Sequence, residues 1–565
     1  MKKFNKLKLA LLIFIIIDII LLIYFLLLRK PISKNLSKNI DGYVSSDEYT
    51  AKLYDETFKE TSTIVRGKQI KVKDEQKKDD NNNIYYKIIS EDEEYFIKID
   101  NFTTEKEKII KETKMYVRTY LTVYEDSESS KILGTLGKGE EVSIIGFDKV
   151  LDDGSVNKYK IEYEGSEGYV YSKYLVNSKE AALKNYDEEN TYKLHANCGD
   201  AYDIGTAKNL DFYPTSKPVF ENNIMPTEVR SLYMNSSVIG NVDKYIEVAK
   251  KANINAFVVD IKDDTAIGYE SEVMKKYSPK SYEKAINSFE RYKEAIQKLK
   301  SNGFYVIGRI TVFKDAYFVS DNPNTALMNT STNMPFLHNG SYWPSGFNRL
   351  VWEYDVELAK EAVTQIGFNE IQFDYVRFPD GTYRYEDNGT MDLRNTYNEE
   401  KAQAIQKFLM YATDEIHAVG AYVSADVFGE SAHNYVTGYG QYWPAISNVV
   451  DVISAMPYPD HFNKYEYGIT DVVWTVPYKL LNEWSEYVVN RQKSIPTPAV
   501  VRTWIQAYDA IRTPNIVYDS GKISEQITAL YENGLTGGFM TWNGNSSLAK
   551  YNQIIDGLKK GYLNE

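Results

Sequence analysis

From residue 229 onward, short apolar runs alternate with amphipathic stretches of helical period. The runs fall at 229–235, 256–262, 305–312, 370–376, 421–427, 451–457, 500–506 and 538–542. They are rich in Val, Ile and Phe and read as strands. The stretches at 242–252, 282–301, 351–366, 399–419 and 523–532 repeat apolar residues at three- and four-residue spacing and predict helices. Gly303, Gly367, Gly420 and Gly534 each follow such a run, where a helix would stop. Strands in strict alternation with helices predict an α/β fold, a (β/α)8 TIM barrel over 228–565. An open doubly wound sheet is the alternative, but it normally carries a Gly-rich phosphate turn after its first strand. The corresponding stretch here, 235–240, reads NSSVIG. The most informative run is EIQFDYVRFP at 370–379, in which Ile371 and Phe373 alternate with Gln372 and Asp374. It ends in Asp374, Tyr375, Arg377 and Asp380, which is either a carboxylate site at a strand mouth or a structural Asp–Arg pair.

The pattern before residue 178 is different. Residues 63–73 alternate, 74–83 form a charged Asn-rich loop, and 84–89 and 95–99 are short strands. Residues 115–177 repeat this layout, with strands at 140–145, 159–163 and 168–174. Val117-Arg118, the turn glycines Gly137 and Gly139, and the closing run GYVYSKYL at 168–175 resemble the bacterial SH3-like domain, with Tyr169 in place of the usual Trp. The earlier segment overlays the later one. Leu53-Tyr54 falls on Val123-Tyr124, Tyr86-Lys87-Ile88 on Tyr159-Lys160-Ile161, and Tyr95-Phe96-Ile97 near Tyr169-Val170. Two tandem small all-β SH3-like barrels are therefore expected, at 34–114 (degenerate) and 115–177. The resemblance implies wall-peptide or glycan binding, a plain stalk being the alternative. Tyr120, Tyr124 and Tyr169 form either a ligand groove or a small core.

Residues 178–227 read as a linker, broken by Pro214, Pro218 and Pro226. Cys198 is the single cysteine, so no intramolecular disulfide or cysteine metal cluster is possible. His195 stands near it, but no second histidine completes a thiol nucleophile. At the other end, 9–28 is apolar apart from Asp18 and follows Lys2, Lys3, Lys6 and Lys8. Its length matches one bilayer crossing. No small-residue cleavage site follows, so 1–30 reads as a cytoplasmic tip and an uncleaved transmembrane signal anchor. The expected localisation is the cell membrane, single-pass, with the remainder extracytoplasmic. Asp18 reads as a tolerated mid-span acid.

Composition narrows the partners. The net charge of −13 disfavours nucleic acid, which wants a basic face. The 48 tyrosines suit stacking on sugars. Five histidines make a zinc centre built on Asp260, Asp263 and His461 unattractive, and neither metal nor cofactor is expected. A monomer is expected.

The active site of such a barrel lies at the C-terminal strand ends. The second run offers Asp260, Lys262, Asp263 and Asp264, and the third Arg309 and Asp315. The fourth offers Asp374, Tyr375 and Arg377, and the fifth Asp426 and Glu430. The last three offer Tyr458, Asp460 and His461, then Arg502, Trp504 and Gln506, then Trp542 and Asn543. Carboxylate pairs carry out glycoside hydrolysis, and Trp and Tyr form sugar platforms. Asp260, Asp263 and Asp264 read first as a solvated loop and second as a site for substrate hydroxyls, Trp504 and Trp542 equally as sugar platforms or rim core, and His461 as a carboxylate partner or a loop cap.

The motifs INAFVVDIKDD (254–264), FDYVRFPDG (373–381), SADVFG (424–429), ISAMPYPDHF (453–462), RTWIQAY (502–508) and GGFMTWN (537–543) resemble a bacterial family of glycosyl-hydrolase-like (β/α)8 barrels. Where that family usually reads P-M-V-Y-P-S-H-Y, this chain has Ala455, Pro457 and Asp460. Through its relation to α-amylase and α-galactosidase barrels, the resemblance implies a glycosidase with its nucleophile at the fourth strand end, Asp374. It places the acid/base on the fifth or sixth strand, for which Asp426 is the choice, with Glu430 and Asp460 behind it. Arg377 is expected to keep Asp374 ionised, and an apolar setting to keep Asp426 protonated. The expectation is a membrane-anchored hydrolase of a wall or envelope polysaccharide. A non-catalytic glycan-binding or wall-organising protein on the same scaffold is the alternative.

Overall fold

The computed structural model describes residues 13, 15–24, 38–90, 94–184, 207 and 209–559. These fall into two compact units, one of residues up to 113 with the loop 146–157, the other of 114–145 and everything from 158 on.

The larger unit holds the barrel. Its strands are β1 (Val229–Met234), β2 (Ala256–Lys262), β3 (Tyr305–Thr311), β4 (Glu370–Asp374), β5 (Tyr422–Phe428), β6 (Val452–Met456), β7 (Val500–Val501 and Thr503–Gln506) and β8 (Gly538–Trp542). Every neighbouring pair is parallel, in sequence order, and β8 returns to β1 with Val229 beside Gly538. The ring closes through β7, which is split at Arg502. Its first piece pairs with β6 and its second with β8. A Cβ on Gly538 would lie 1.9 Å from the Val229 carbonyl oxygen, so only glycine permits this seam.

β4 shows how the polarity pattern works in the ring. Ile371 and Phe373 face outward, where Phe373 meets Phe408 of the helix Lys401–Ala418 with ring centroids 5.2 Å apart. Its polar positions face inward, in tiers. Glu370 pairs with Arg502 at 2.7 Å at the bottom, and Gln372 donates to Ser454 at 3.4 Å in the middle. Asp374 stands at the top. The interior is thus partly polar, and its charges are paired, as burial demands.

The expected helix at 282–301 is shorter in the structure. Ala285–Asn287 is a strand beside Ile267–Tyr269, and the helix runs Phe289–Ser301 from a Ser288 cap. The cause is Asn287, whose buried amide donates to the Ser236 and Gly268 carbonyls and holds the chain extended. A further helix, Pro477–Gln492, lies between β6 and β7.

The N-terminal region is all-β. Its two seven-stranded sheets have the same strand order: third, second, sixth, fifth, fourth, first, seventh. The registers agree as well. Tyr54 opposes Phe96 as Tyr124 opposes Tyr169, and Tyr86 opposes Ile97 as Tyr159 opposes Val170. The second sheet shares the barrel's compact unit and covers the helix Lys401–Ala418. On that helix Glu415 accepts from Ser130, Tyr171 and Lys158 of the β module and from Lys360 of the barrel, at 2.8, 3.1, 3.3 and 2.9 Å. Tyr174 donates to Asp414 at 2.9 Å, and Tyr124 packs on Tyr411. So Tyr124 lies in an internal interface.

Among the described residues no helix is long and apolar enough to cross a membrane. The expected span 9–28 lies partly outside the described residues, and Cys198 and His195 lie outside them entirely.

Candidate active site

The ring opens at its C-terminal end into a cavity of about 160 Å³, lined among others by Arg309, Asp374, Asp426, Tyr458, Trp504 and Trp542. Tyr375, Arg377, Phe428, Met456 and His461 complete the wall.

Two carboxylates from adjacent strands sit there in unlike surroundings. Asp374 ends β4. Its Oδ2 accepts from Arg309 Nε at 3.1 Å and Nη2 at 2.5 Å, and its Oδ1 accepts from the Tyr375 backbone N–H at 2.6 Å. Charge-assisted bonds of this kind fix the carboxylate in place. Tyr375 takes a left-handed φ of 50°, which a bulky residue adopts only under constraint from its surroundings. Asp426, on β5, is buried, with one oxygen accepting from Trp504 Nε1 at 2.8 Å and the other without a partner. Burial pushes its pKa well above the ordinary carboxylate range, the negative charge of Asp374 pushes it further, and the Trp504 N–H only partly opposes this. One carboxyl is therefore bound to a guanidinium, and the other is buried against an indole N–H with its charge disfavoured.

The expected cation on Asp374 was Arg377; the structure supplies Arg309. Arg377 donates instead to Asp380 and to the Phe378 carbonyl, both at 3.0 Å. Arg309 also reaches Asp260 at 2.8 Å, and Tyr233 donates to the same carboxylate. Burial raises the Asp260 pKa to about 6, with Arg309 opposing the rise. Asp263 lies 3.9 Å from Arg309 and accepts from Thr311 at 2.9 Å.

Other sequence-derived candidates lie outside the cavity wall. Lys262 is fully buried between Asp315 at 2.6 Å and Asp355 at 2.8 Å. Burial disfavours its charge, but the two carboxylates outweigh burial and hold its pKa above the usual range. Glu430 accepts from Tyr439. Gln506 accepts from the Asp460 backbone N–H, and Asp460 is held by Tyr508 at 2.8 Å and the Ile511 N–H at 3.2 Å. Asn543 ties down its own loop through the Ser547 carbonyl. Asp264 accepts from Ser341 at 2.7 Å. Among the described residues no cluster of three or more His, Cys, Asp or Glu is arranged to hold a metal.

Phe428 and Met456 line the cavity and Tyr233 holds Asp260 behind it, and none of the three was among the candidates. Phe428 follows Asp426 by two residues on one strand, so period-two spacing could have found it. Tyr233 has no such signal, because its contact with Asp260 crosses between strands.

A ring of parallel strands with two carboxyls among aromatic rings at its C-terminal mouth fits a barrel of the glycosyl-hydrolase kind. Residues 231–548, more than half of the chain, match the family described as "Putative glycosyl hydrolase domain", and the chain belongs to that family. No curated protein matches it. Similar solved structures include a hypothetical protein from Ruminiclostridium thermocellum, 33% identical over 35% of this chain and 97% of that one, with a TM-score of 0.30. Another is the PgaB (BpsB) glycoside hydrolase domain from Bordetella bronchiseptica, 14% identical over 60% of this chain and 100% of that one, with a TM-score of 0.44. A third is the maltogenic alpha-amylase AmyB from Thermotoga neapolitana, 10% identical over 57% and 69%, with a TM-score of 0.37.

Proposed function

We propose that the protein is a glycoside hydrolase acting on a cell-wall or envelope polysaccharide. The observation that carries this reading is the pair of carboxyls at one cavity, Asp374 gripped by Arg309 and the Tyr375 amide and Asp426 buried with one oxygen unpartnered. Asp426, protonated by burial, gives its proton to the departing glycosidic oxygen. Asp374, fixed by Arg309 and the Tyr375 amide, acts as the anion against the developing positive charge at the anomeric carbon, to which water adds while its proton returns to Asp426. Trp542 and Tyr458, with ring planes 21° apart, give apolar surfaces for the sugar face. Trp504 holds Asp426 in place.

In the same reading residues 9–28 anchor the chain in the membrane and the barrel stands outside it. The repeated strand order supports two SH3-like modules between them.

The test is glycan release from purified cell wall and from a polysaccharide panel by the full-length chain, wild type beside Asp374→Asn. Release by wild type alone, with products that name the linkage, is the expected result. If neither protein releases anything while wild type is still retained on a glycan column, the chain is a binding protein and the catalytic assignment fails.

A further inference from the structure

Arg377 is a guanidinium of the cavity wall that the two-carboxyl chemistry does not use. It lines the wall but is only 6% exposed, and four aromatic rings surround its guanidinium. The centroid distances are 4.3 Å to Phe428, 5.0 Å to Tyr375, 5.2 Å to Trp343 and 5.8 Å to Tyr439. Ring faces attract a cation and here also restrict its rotation. Its hydrogen bonds to the described residues use Nη1, which donates to the Phe378 carbonyl and to Asp380. Asp380 is itself half in solvent, its side chain 49% exposed, so the pair screens the charge weakly. Nε and Nη2 donate to no described residue. Those two N–H groups form the edge that takes a carboxylate through two parallel hydrogen bonds. Arg309, the other guanidinium of the cavity, is already neutralised by Asp374 and Asp260.

We propose that Arg377 makes this cavity a site for a sugar bearing a carboxylate, so that the substrate is an acidic polysaccharide. The proposal rests on the glycoside hydrolase reading and narrows its substrate class. The carboxylate comes either from an oxidised C6, as in a uronic acid, or from an acidic ether on the ring, as in muramic acid. Arg377 recognises both by the same fork. A structural Asp–Arg pair alone would account for Nη1 and leave the other two nitrogens without a role.

The full-length protein is titrated with glucuronate, muramic acid, glucose and N-acetylglucosamine, with calorimetry or the fluorescence of the cavity tryptophans as readout. At least one of the two acids is expected to bind about tenfold or more tightly than the neutral sugars, and the tighter acid names the source of the carboxylate. Arg377→Gln is expected to abolish that preference. Arg377→Lys, a point charge without the fork, is expected to keep only part of it. Thermal melts of both variants establish that they fold. Equal affinity for acid and neutral sugars, no acid binding at all, or a preference that survives Arg377→Gln in folded protein overturns the proposal. The two readings fail separately. Acid binding without release from any polymer would leave this proposal standing and remove the hydrolase. Release from a neutral polymer with no preference for acids would do the reverse.

Discussion

Two buried cations sit between pairs of carboxylates at the top of the same barrel, and their surroundings give them different tasks. Arg309 bridges Asp260 and Asp374 and faces the cavity. Lys262 bridges Asp315 and Asp355, and all three side chains are sealed from solvent. The chemistry of the two clusters is nearly the same; the access differs. A buried ion pair is a weak source of stability, because desolvation consumes most of the Coulombic gain. The sealed cluster therefore holds elements together: Lys262 on β2, Asp315 after β3, and Asp355 on the helix Arg349–Glu361. The open cluster fixes the Asp374 carboxylate at the cavity wall.

The largest expected effect separates these roles most sharply. Asp374→Asn should lower hydrolysis by about 10⁴-fold, comparable to the loss of a residue in other hydrolytic catalytic sets, while far-UV circular dichroism stays native. A variant that loses activity only by unfolding would show that the open cluster is structural too. Asp426→Asn should lower activity by about 10²–10⁴-fold, as expected for loss of a general acid. Its pH behaviour is also specific. The folded-state pKa is raised, so the wild-type acid works below that pKa and fails as pH rises through it. The same shift makes the native state bind the proton more tightly than the unfolded chain. That contribution to stability is complete below the ordinary carboxylate pKa and is lost as pH rises through the folded-state value. Melting curves should thus show Asp426→Asn gaining on wild type with increasing pH; a constant difference would mean Asp426 is ionised in the fold.

Lys262→Met should cost about 3–5 kcal/mol in denaturant unfolding, since it strands two buried carboxylates. If stability held and activity fell, the sealed cluster would belong to the site after all. Tyr233→Phe removes one donor from Asp260 and should cost about 1–2 kcal/mol, with the acidic limb of the pH–rate profile moved if Asp260 communicates with Asp374 through Arg309.

The same two clusters mark how far the sequence can be read. The eight runs became the eight strands, and the motifs placed Asp374 and Asp426 at one mouth, because both follow from period and position within a strand. Partners across strands were not legible. Arg377 lies three residues from Asp374 in the chain, but the residue that grips Asp374 is Arg309, brought there by the parallel register of β3 and β4. Lys262 misled for a different reason. Strict alternation would put Asp260 and Lys262 on one face of β2, pointing into the cavity. The β2–β3 register slips between them, with Asp260 opposite Arg309 and Lys262 opposite Ile310, and Lys262 joins the sealed cluster instead. A bulge of this kind reverses every face assignment beyond it. The π-turn at Ala362–Ile366, which ends the helix bearing Asp355, was equally silent in the periodicity.

The grip of the second β module on Glu415 bears on how such a chain can diversify. A domain joined only by a linker can be exchanged by recombination at that linker, and its neighbour barely registers the change. Here a cut near residue 178 would strip Ser130, Lys158 and Tyr171 from a buried carboxylate. A replacement module would have to bring matching donors for Glu415 and Asp414 with it. The hydrogen bonds thus tie the second module and the barrel helix into one unit of change, in which a substitution on one side asks for a matching one on the other.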